Sequence, residues 1–372
     1  MKIHSKKILV LPFLKIPSGH QQVADSLIQD IQSNEARMEC EKAEILSYSY
    51  GKMESFVSAF YLKWIHLFPN LYNWVYQQSV YRNIEQNKKF RMYELLFLAR
   101  MKQLVEEMQP DCIICTHALP SYMLNALKEK NTIKTPVINV YTDFFIHSFW
   151  GTTYIDFHLV STPYMKELLI KKGIQAQRIW YTGIPVHHEI RPNTNPAMKH
   201  HSPFLSILVT GGNLGVGALE DLLKSIETTG KIKYFVLCGK NNRLYQRLKS
   251  LNNPFFIPLT YISCRKEMNE LYDSIDGILT KPGGVTISEG LRKRKPIFIY
   301  HALPGQEVIN LHQLQKLGVV FYLNSWDHME SQLLTFFKSK EHLEKMKSNI
   351  ENYHHQLMDK TISELVCQIL PR

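Results

Sequence analysis

Two doubly wound α/β domains facing a central cleft are predicted for this chain, on three observations. At 372 residues it is too long for one ordinary core and fits two. Short apolar runs alternate with helical patterns through both halves, the signature of βαβ units on parallel sheets. A polar stretch at 187–203, HHEIRPNTNPAMKHHSP, carries three prolines and no apolar period, and divides the two series as a linker.

The first series places strands at 6–13, 43–48, 111–116, 136–141 and 156–161, with helices at 20–33, 88–108, 121–129 and 163–172. KKILVLPF is the apolar run of a buried strand, broken by Pro17-Ser18-Gly19. Val23, Leu27, Ile28 and Ile31 then recur at helical spacing, so a helix starts near Ser18, which has the S-x-x-Q form of a capping box with Gln21. His20 falls in the first turn of that helix, where converging N–H groups disfavour imidazolium and leave a neutral ring able to accept a proton. The alternative is a histidine that merely follows a helix cap. The second series places strands at 204–210, 233–239, 255–261, 277–280, 296–300 and 319–323.

Composition narrows the partners. A hydrophobic fraction of 45% with 21% charged residues is globular. The excess of 44 Lys+Arg over 33 Asp+Glu, net +11, favours nucleic acid, anionic lipid or a phosphorylated substrate. The six cysteines follow no disulfide framework, which points to a reduced, intracellular protein. Cys112 and Cys115 lie i, i+3 on a strand and so face opposite sides, unsuited to one metal. No run of 18 apolar residues is present to span a bilayer, and MKIHSKKILVLPF reads as a first strand rather than a signal peptide. The two His-His pairs in the linker lack a fixed third ligand and read as solvated chain.

Three glycine-rich turns each follow a strand of the second half: VTGGNLGVGAL at 209–219, LCGKNNR at 237–243 and LTKPGGVTISEGL at 279–291. Glycine after a parallel strand lets the backbone approach a ligand, and the next helix offers N–H groups to phosphate. Three such turns on one sheet point to a nucleoside diphosphate. The G-x-G-x-x-G spacing of a dinucleotide site and the GK[ST] of a P-loop are both missing. In the third turn Glu289 lies one helical turn inside, placed to accept hydrogen bonds from ligand hydroxyls, while Thr286 and Glu289 also match a T-x-x-E capping box. Lys281 adds a cation beside any phosphate. ALPGQEVIN, 302–310, sets Gln306 and Glu307 at another strand-to-helix junction.

Residues 55–84 contain no Asp or Glu, and Phe56, Phe60, Trp64, Leu67 and Leu71 recur at three or four. With Trp74 and the basic Lys88 and Lys89 following, this is the pattern of a monotopic protein entering an anionic membrane surface. The alternative is a core helix hairpin, split by Pro69. No RNA-binding motif accompanies the aromatics, so nucleic acid is not expected as a partner.

KPGGVTISE with LPGQE downstream, TGIP at 182–185, NVYTDFFIHSFW at 139–150 and the N-terminal SGHQQVA resemble the processive diacylglycerol glucosyltransferases of bacteria and the plant monogalactosyldiacylglycerol synthases. These belong to glycosyltransferase family 28, of GT-B fold. The resemblance runs over essentially the whole chain. It implies an acceptor and membrane-facing domain at 1–186, a UDP-sugar donor domain at 204–340 and a C-terminal helix at 341–372 that returns to the first domain. Glu289 then binds the ribose of UDP, Gly283, Gly284 and Thr286 the diphosphate, and Gln306 and Glu307 the sugar hydroxyls. Gly212 and Gly239 line the donor site, and His20 and Asp143 face the acceptor as candidate bases. No cofactor and no metal are implied, in keeping with the lack of a DxD motif. The implied reaction is inverting transfer of a hexose, glucose foremost, to a lipid hydroxyl, by a cytoplasmic enzyme peripheral to the inner face of the cell membrane. Two departures stand out: P-S-G-H replaces the family's G-N-G-H, and Leu311 follows Asn310 where the family continues N-A. Readings kept beside this one are a related enzyme on another acceptor, a sugar-nucleotide epimerase, and a non-catalytic UDP-sugar sensor.

Overall fold

The structure is a computed structural model that describes residues 5–13, 18–50, 89–193, 203–211, 216–226, 228–323 and 325–370. It divides into two compact units, Met1–His187 with Leu357–Arg372, and His188–Gln356.

Unit 1 runs β1 (Lys6–Leu11), α1 (Gly19–Asn34), β2 (Met38–Lys42), α2 (Ile45–Tyr50), α3 (Arg91–Met108), β3 (Cys112–Cys115), α4 (Ala118–Glu129), β4 (Val137–Val140), β5 (Phe157–Val160), α5 (Pro163–Lys171) and β6 (Ile179–Tyr181). Its strands pair in parallel in the order β2-β1-β3-β4-β5-β6. Ile8, Leu9, Ile113, Ile114 and Val137 have no exposed surface, because helices cover both faces of a parallel sheet. Cys112 and Cys115 are free thiols packed in this core as small apolar groups.

The strand expected at 43–48 is not formed. The chain pairs at MECEK, 38–42, and then turns into α2. This is an edge strand with largely exposed side chains, so no apolar run marks it, while the apolar Ile45 is buried from the helix instead.

Because β1 leads outward to β2 and the chain then returns to β3 on the other side of β1, the order reverses between β1 and β3. Such a reversal opens a crevice at the carboxyl ends of the two strands, where α/β sheets bind ligands. α1 starts there, and the 139–151 loop is held nearby by Asn139 Nδ2, which donates to the Gly151 carbonyl at 2.7 Å, and by Ser121 Oγ of α4, which donates to it at 3.3 Å. A Cβ on Gly151 would collide with the Asn125 side chain and lie 2.6 Å from the Ser121 carbonyl. Gly151→Ala is therefore expected to cost about 1–3 kcal/mol or more, read as a lowered denaturation midpoint. An unchanged midpoint would show that the loop is not pinned at this point.

Unit 2 runs β7 (Leu205–Thr210), α6 (Val216–Ser225), β8 (Ile232–Leu237), α7 (Asn242–Ser250), β9 (Phe256–Leu259), α8 (Arg265–Ser274), β10 (Gly277–Thr280), α9 (Gly284–Arg292), β11 (Ile297–Ile299), α10 (Gln306–Leu317), β12 (Phe321–Tyr322), α11 (Met329–Lys338) and α12 (Lys340–Gln356). Its parallel sheet has the order β12-β11-β10-β7-β8-β9, which reverses between β7 and β10. The core is built on Ile207, Leu208, Ile278, Leu279 and Phe298. The buried Glu330 accepts from Tyr234 Oη at 2.9 Å and from the Thr229 N–H at 2.8 Å, so its charge is satisfied inside the fold.

The expected linker is partly structural. Residues 194–202 lie outside the described residues, but Ile190 is fully buried in unit 2, where Arg292 Nε donates to its carbonyl at 2.6 Å. Residues 341–356 also stay in unit 2, α12 being tied by a 2.6 Å Arg294–Glu351 ion pair. Only from Leu357 does the chain rejoin unit 1, as α13 (Ile362–Ile369), whose Ser363 N–H donates to Asp30 of α1 at 3.3 Å.

Candidate active site

At the N-terminus of α1, Ser18 is the cap residue in extended conformation, and its Oγ accepts from the Gln21 N–H at 3.4 Å. His20 is the second residue of the helix. Two hydrogen bonds lock it to the residue that follows β3: Thr116 Oγ1 donates to the His20 carbonyl at 3.1 Å, and His20 Nδ1 lies 2.9 Å from the Thr116 carbonyl. A carbonyl only accepts, so Nδ1 carries the hydrogen and donates it, an assignment made from the network. Thr142 Oγ1, 2.7 Å from Nδ1, shares that hydrogen. Nε2 is left with its lone pair, which is the acceptor a general base needs. The side chain is half-buried. Burial holds its pKa below the ordinary histidine value, opposed by the negative charge of Asp143 and by the Thr116 carbonyl. Asp143, half-buried beside Thr142, thus acts on His20 through its field.

In unit 2 the β10–α9 turn lies on one side of the order reversal. Lys281 is 8% exposed and follows β10, and Gly283 is the N-cap of α9 without a side-chain cap. A Cβ at Gly283 would meet no atom within 4 Å, so the backbone there faces open space. The leading N–H groups of α9, with Gly284 and Thr286 in its first turn, have no intrahelical acceptor. That arrangement, with Lys281 nearby in sequence, could hold an anion. The capping box between Thr286 and Glu289 is not formed, because the helix begins two residues before Thr286. Glu289, 6% exposed, instead accepts from Tyr272 Oη of α8 at 2.7 Å and pairs with Arg265 Nη1 at 3.6 Å. Burial raises its carboxyl pKa, while the Tyr272 and Arg265 contacts pull it down.

Gln306 and Glu307 open α10 on the neighbouring strand β11, after Gly305 at φ 96°, a conformation suited to glycine. Glu307 also holds its own loop, accepting from the Leu303 N–H at 2.6 Å. Gly239, at φ 58°, lies two residues past β8 with open space where a Cβ would stand. Gly212, Phe56, Phe60, Trp64, Trp74 and Lys88 lie outside the described residues. Lys89 is exposed and sits 3.6 Å from Glu129. Among the described residues no group of three His, Cys, Asp or Glu is arranged to hold a metal ion, and no helix is long and apolar enough to cross a membrane.

Thr116, Thr142, Arg265 and Tyr272 were not anticipated. Thr116 and Thr142 had a faint signal, as polar residues just past buried strands. Arg265 and Tyr272 had none, since they reach Glu289 from a different helix.

Two parallel six-stranded sheets, each reversing beside a glycine or histidine turn, make this a two-domain, Rossmann-like GT-B fold. Residues 20–186 match the family described as monogalactosyldiacylglycerol (MGDG) synthase. An uncharacterized glycosyltransferase of Bacillus subtilis (strain 168), YkoN, is 41% identical over 98% of this chain and 97% of its own length. A processive diacylglycerol beta-glucosyltransferase of Bacillus cereus (strain G9842) is 30% identical over 85% of this chain and 81% of its own. Among solved structures, MurG of Acinetobacter baumannii superposes with a TM-score of 0.62 at 14% identity, covering 98% of this chain and 99% of that one. A UDP-GlcNAc 2-epimerase of Neisseria meningitidis gives 0.55 at 13% over 98% and 99%; at such identities the likeness shows the fold alone. The chain belongs to the glycosyltransferase family 28 group that holds the diacylglycerol glucosyltransferases and MGDG synthases, and it is a glycosyltransferase.

Proposed function

We propose that this enzyme transfers a hexose, glucose foremost, from a UDP-sugar to the free hydroxyl of diacylglycerol, with inversion and without a metal, at the inner face of the cell membrane. The observation that carries the reading is His20, whose tautomer leaves Nε2 as an acceptor at the ligand-binding end of the unit 1 sheet. Nε2 takes the acceptor proton as the oxygen attacks C1 from the face opposite UDP, and the bond from C1 to the diphosphate oxygen breaks. Asp143 stabilises the imidazolium that forms. The departing diphosphate rests on the α9 N-terminus and Lys281, which supply the positive potential. Glu289 accepts from the ribose hydroxyls, and Gln306 and Glu307 from the sugar. The names of the curated relatives support glucose and diacylglycerol.

The test is purified protein with UDP-glucose or UDP-galactose, with and without dioctanoylglycerol, in EDTA, followed by thin-layer chromatography of lipid products. Lipid-dependent glucolipid formation in EDTA supports the reading. Donor consumed without lipid would replace it with epimerase or hydrolase activity, and UDP binding without transfer would replace it with a sensor.

The pH profile carries a second prediction. A base must be neutral, and burial lowers the pKa of His20, so the acid limb of kcat/KM is expected below pH about 6.5. Asp143 raises that pKa, so Asp143→Asn is expected to move the limb to still lower pH while slowing turnover. A limb that stays in place would remove Asp143 from the control of this base.

A further inference from the structure

His117 directly follows the threonine that orients His20, and it is the N-cap of α4. Its Nδ1 accepts from the Leu119 N–H at 3.1 Å, so Nδ1 carries no hydrogen and Nε2–H is the donor. His20 is locked in the opposite tautomer. The two rings lie 4.6 Å apart at 73°, and Phe13 stacks on His117 at 4.8 Å and 24°, fixing the ring. Two adjacent imidazoles, one with an acceptor nitrogen and one with a donor N–H, therefore lie ring against ring at the carboxyl ends of β1 and β3. No acceptor for His117 Nε2 is found among the described residues, although the side chain is only half-buried.

The pair is also kept uncharged. Burial holds His117 well below the ordinary histidine pKa, and the neighbouring imidazoles of His20 and His147 lower it further. His147, buried itself and depressed to about 3, adds a third neutral ring. A neutral N–H can donate to an ester or hydroxyl oxygen.

We propose that His117 is an acceptor-binding residue whose Nε2–H donates to an oxygen beside the hydroxyl that His20 deprotonates, so that the site selects acceptors with two neighbouring oxygens. The inference rests on His20 being the base. Diacylglycerol presents such a pair, a free hydroxyl next to an ester; a long-chain monoalcohol does not.

His117→Asn keeps an oxygen to accept from the Leu119 N–H, and so the helix cap, but removes the Nε2 donor. With UDP-glucose, the variant is expected to raise KM for dioctanoylglycerol about tenfold, as the loss of one hydrogen bond predicts. KM for UDP-glucose and kinetics with 1-decanol should stay unchanged. An equal loss on both acceptors, or no loss on either, would overturn the proposal. A readout independent of turnover is the 15N resonance of His117 Nε2 in labelled protein. It should shift on adding dioctanoylglycerol and not on adding 1-decanol; no shift with dioctanoylglycerol also overturns the proposal. A protein that transfers no sugar would remove the proposed function and this inference with it, whereas transfer to dioctanoylglycerol without a His117 shift would overturn this inference alone.

Discussion

His20→Ala is expected to lower turnover on the order of 10²- to 10⁴-fold, the usual contribution of a positioned general base, while UDP binding stays at its wild-type level. The separation is expected because His20 belongs to unit 1 and the residues assigned to the nucleotide to unit 2. The fold should survive. The α1 cap is supplied by Ser18, and Thr116 Oγ1 bonds the backbone carbonyl of residue 20, which alanine retains. The measurements are single-turnover transfer to dioctanoylglycerol and calorimetric titration with UDP. Wild-type turnover in the variant would remove His20 from the mechanism. Loss of UDP affinity in step with turnover would mean that the substitution had damaged more than the base.

Glu289→Ala carries the second large effect. A carboxylate accepting hydroxyl hydrogens contributes about 1.5–3 kcal/mol per bond, so loss of the ribose contact should weaken UDP binding roughly 10- to 100-fold. The substitution also leaves the buried Tyr272 hydroxyl without its acceptor, which costs about 1–3 kcal/mol of stability. Glu289→Gln keeps an oxygen for Tyr272 and should recover most of the stability but only part of the affinity. Titration with UDP and chemical denaturation separate the two quantities. A folded Glu289→Ala protein that binds UDP like the wild type would show that this carboxylate serves the core rather than the ligand.

The interior of the fold was readable where burial writes itself into the sequence. LSILVT, GILT and CIIC are apolar because both faces of a parallel sheet are covered, and each proved to be a strand. The edge strand MECEK was missed for the converse reason: an exposed strand needs no apolar residues, and nothing in its composition separates it from a loop. The T-x-x-E match at Thr286 misled in a different way, since a capping box depends on where the helix starts, and α9 starts earlier, at the glycines. The polar, proline-bearing stretch at 187–203 reads as linker throughout, yet Ile190 is fully buried and its carbonyl accepts from Arg292, about a hundred residues away.

The two α/β series, the glycine turns after strands and the candidacy of His20, Lys281 and Glu289 are legible in the chain alone, because strand burial and turn chemistry are local and leave their mark in adjacent residues. What those groups can do is set by the fold. Which nitrogen of His20 keeps its lone pair depends on the Thr116 carbonyl and Thr142, 96 and 122 residues away, and the setting of Glu289 depends on Tyr272 and Arg265 from another helix. Protonation and charge at a site follow from through-space partners, and a one-dimensional pattern does not hold that information.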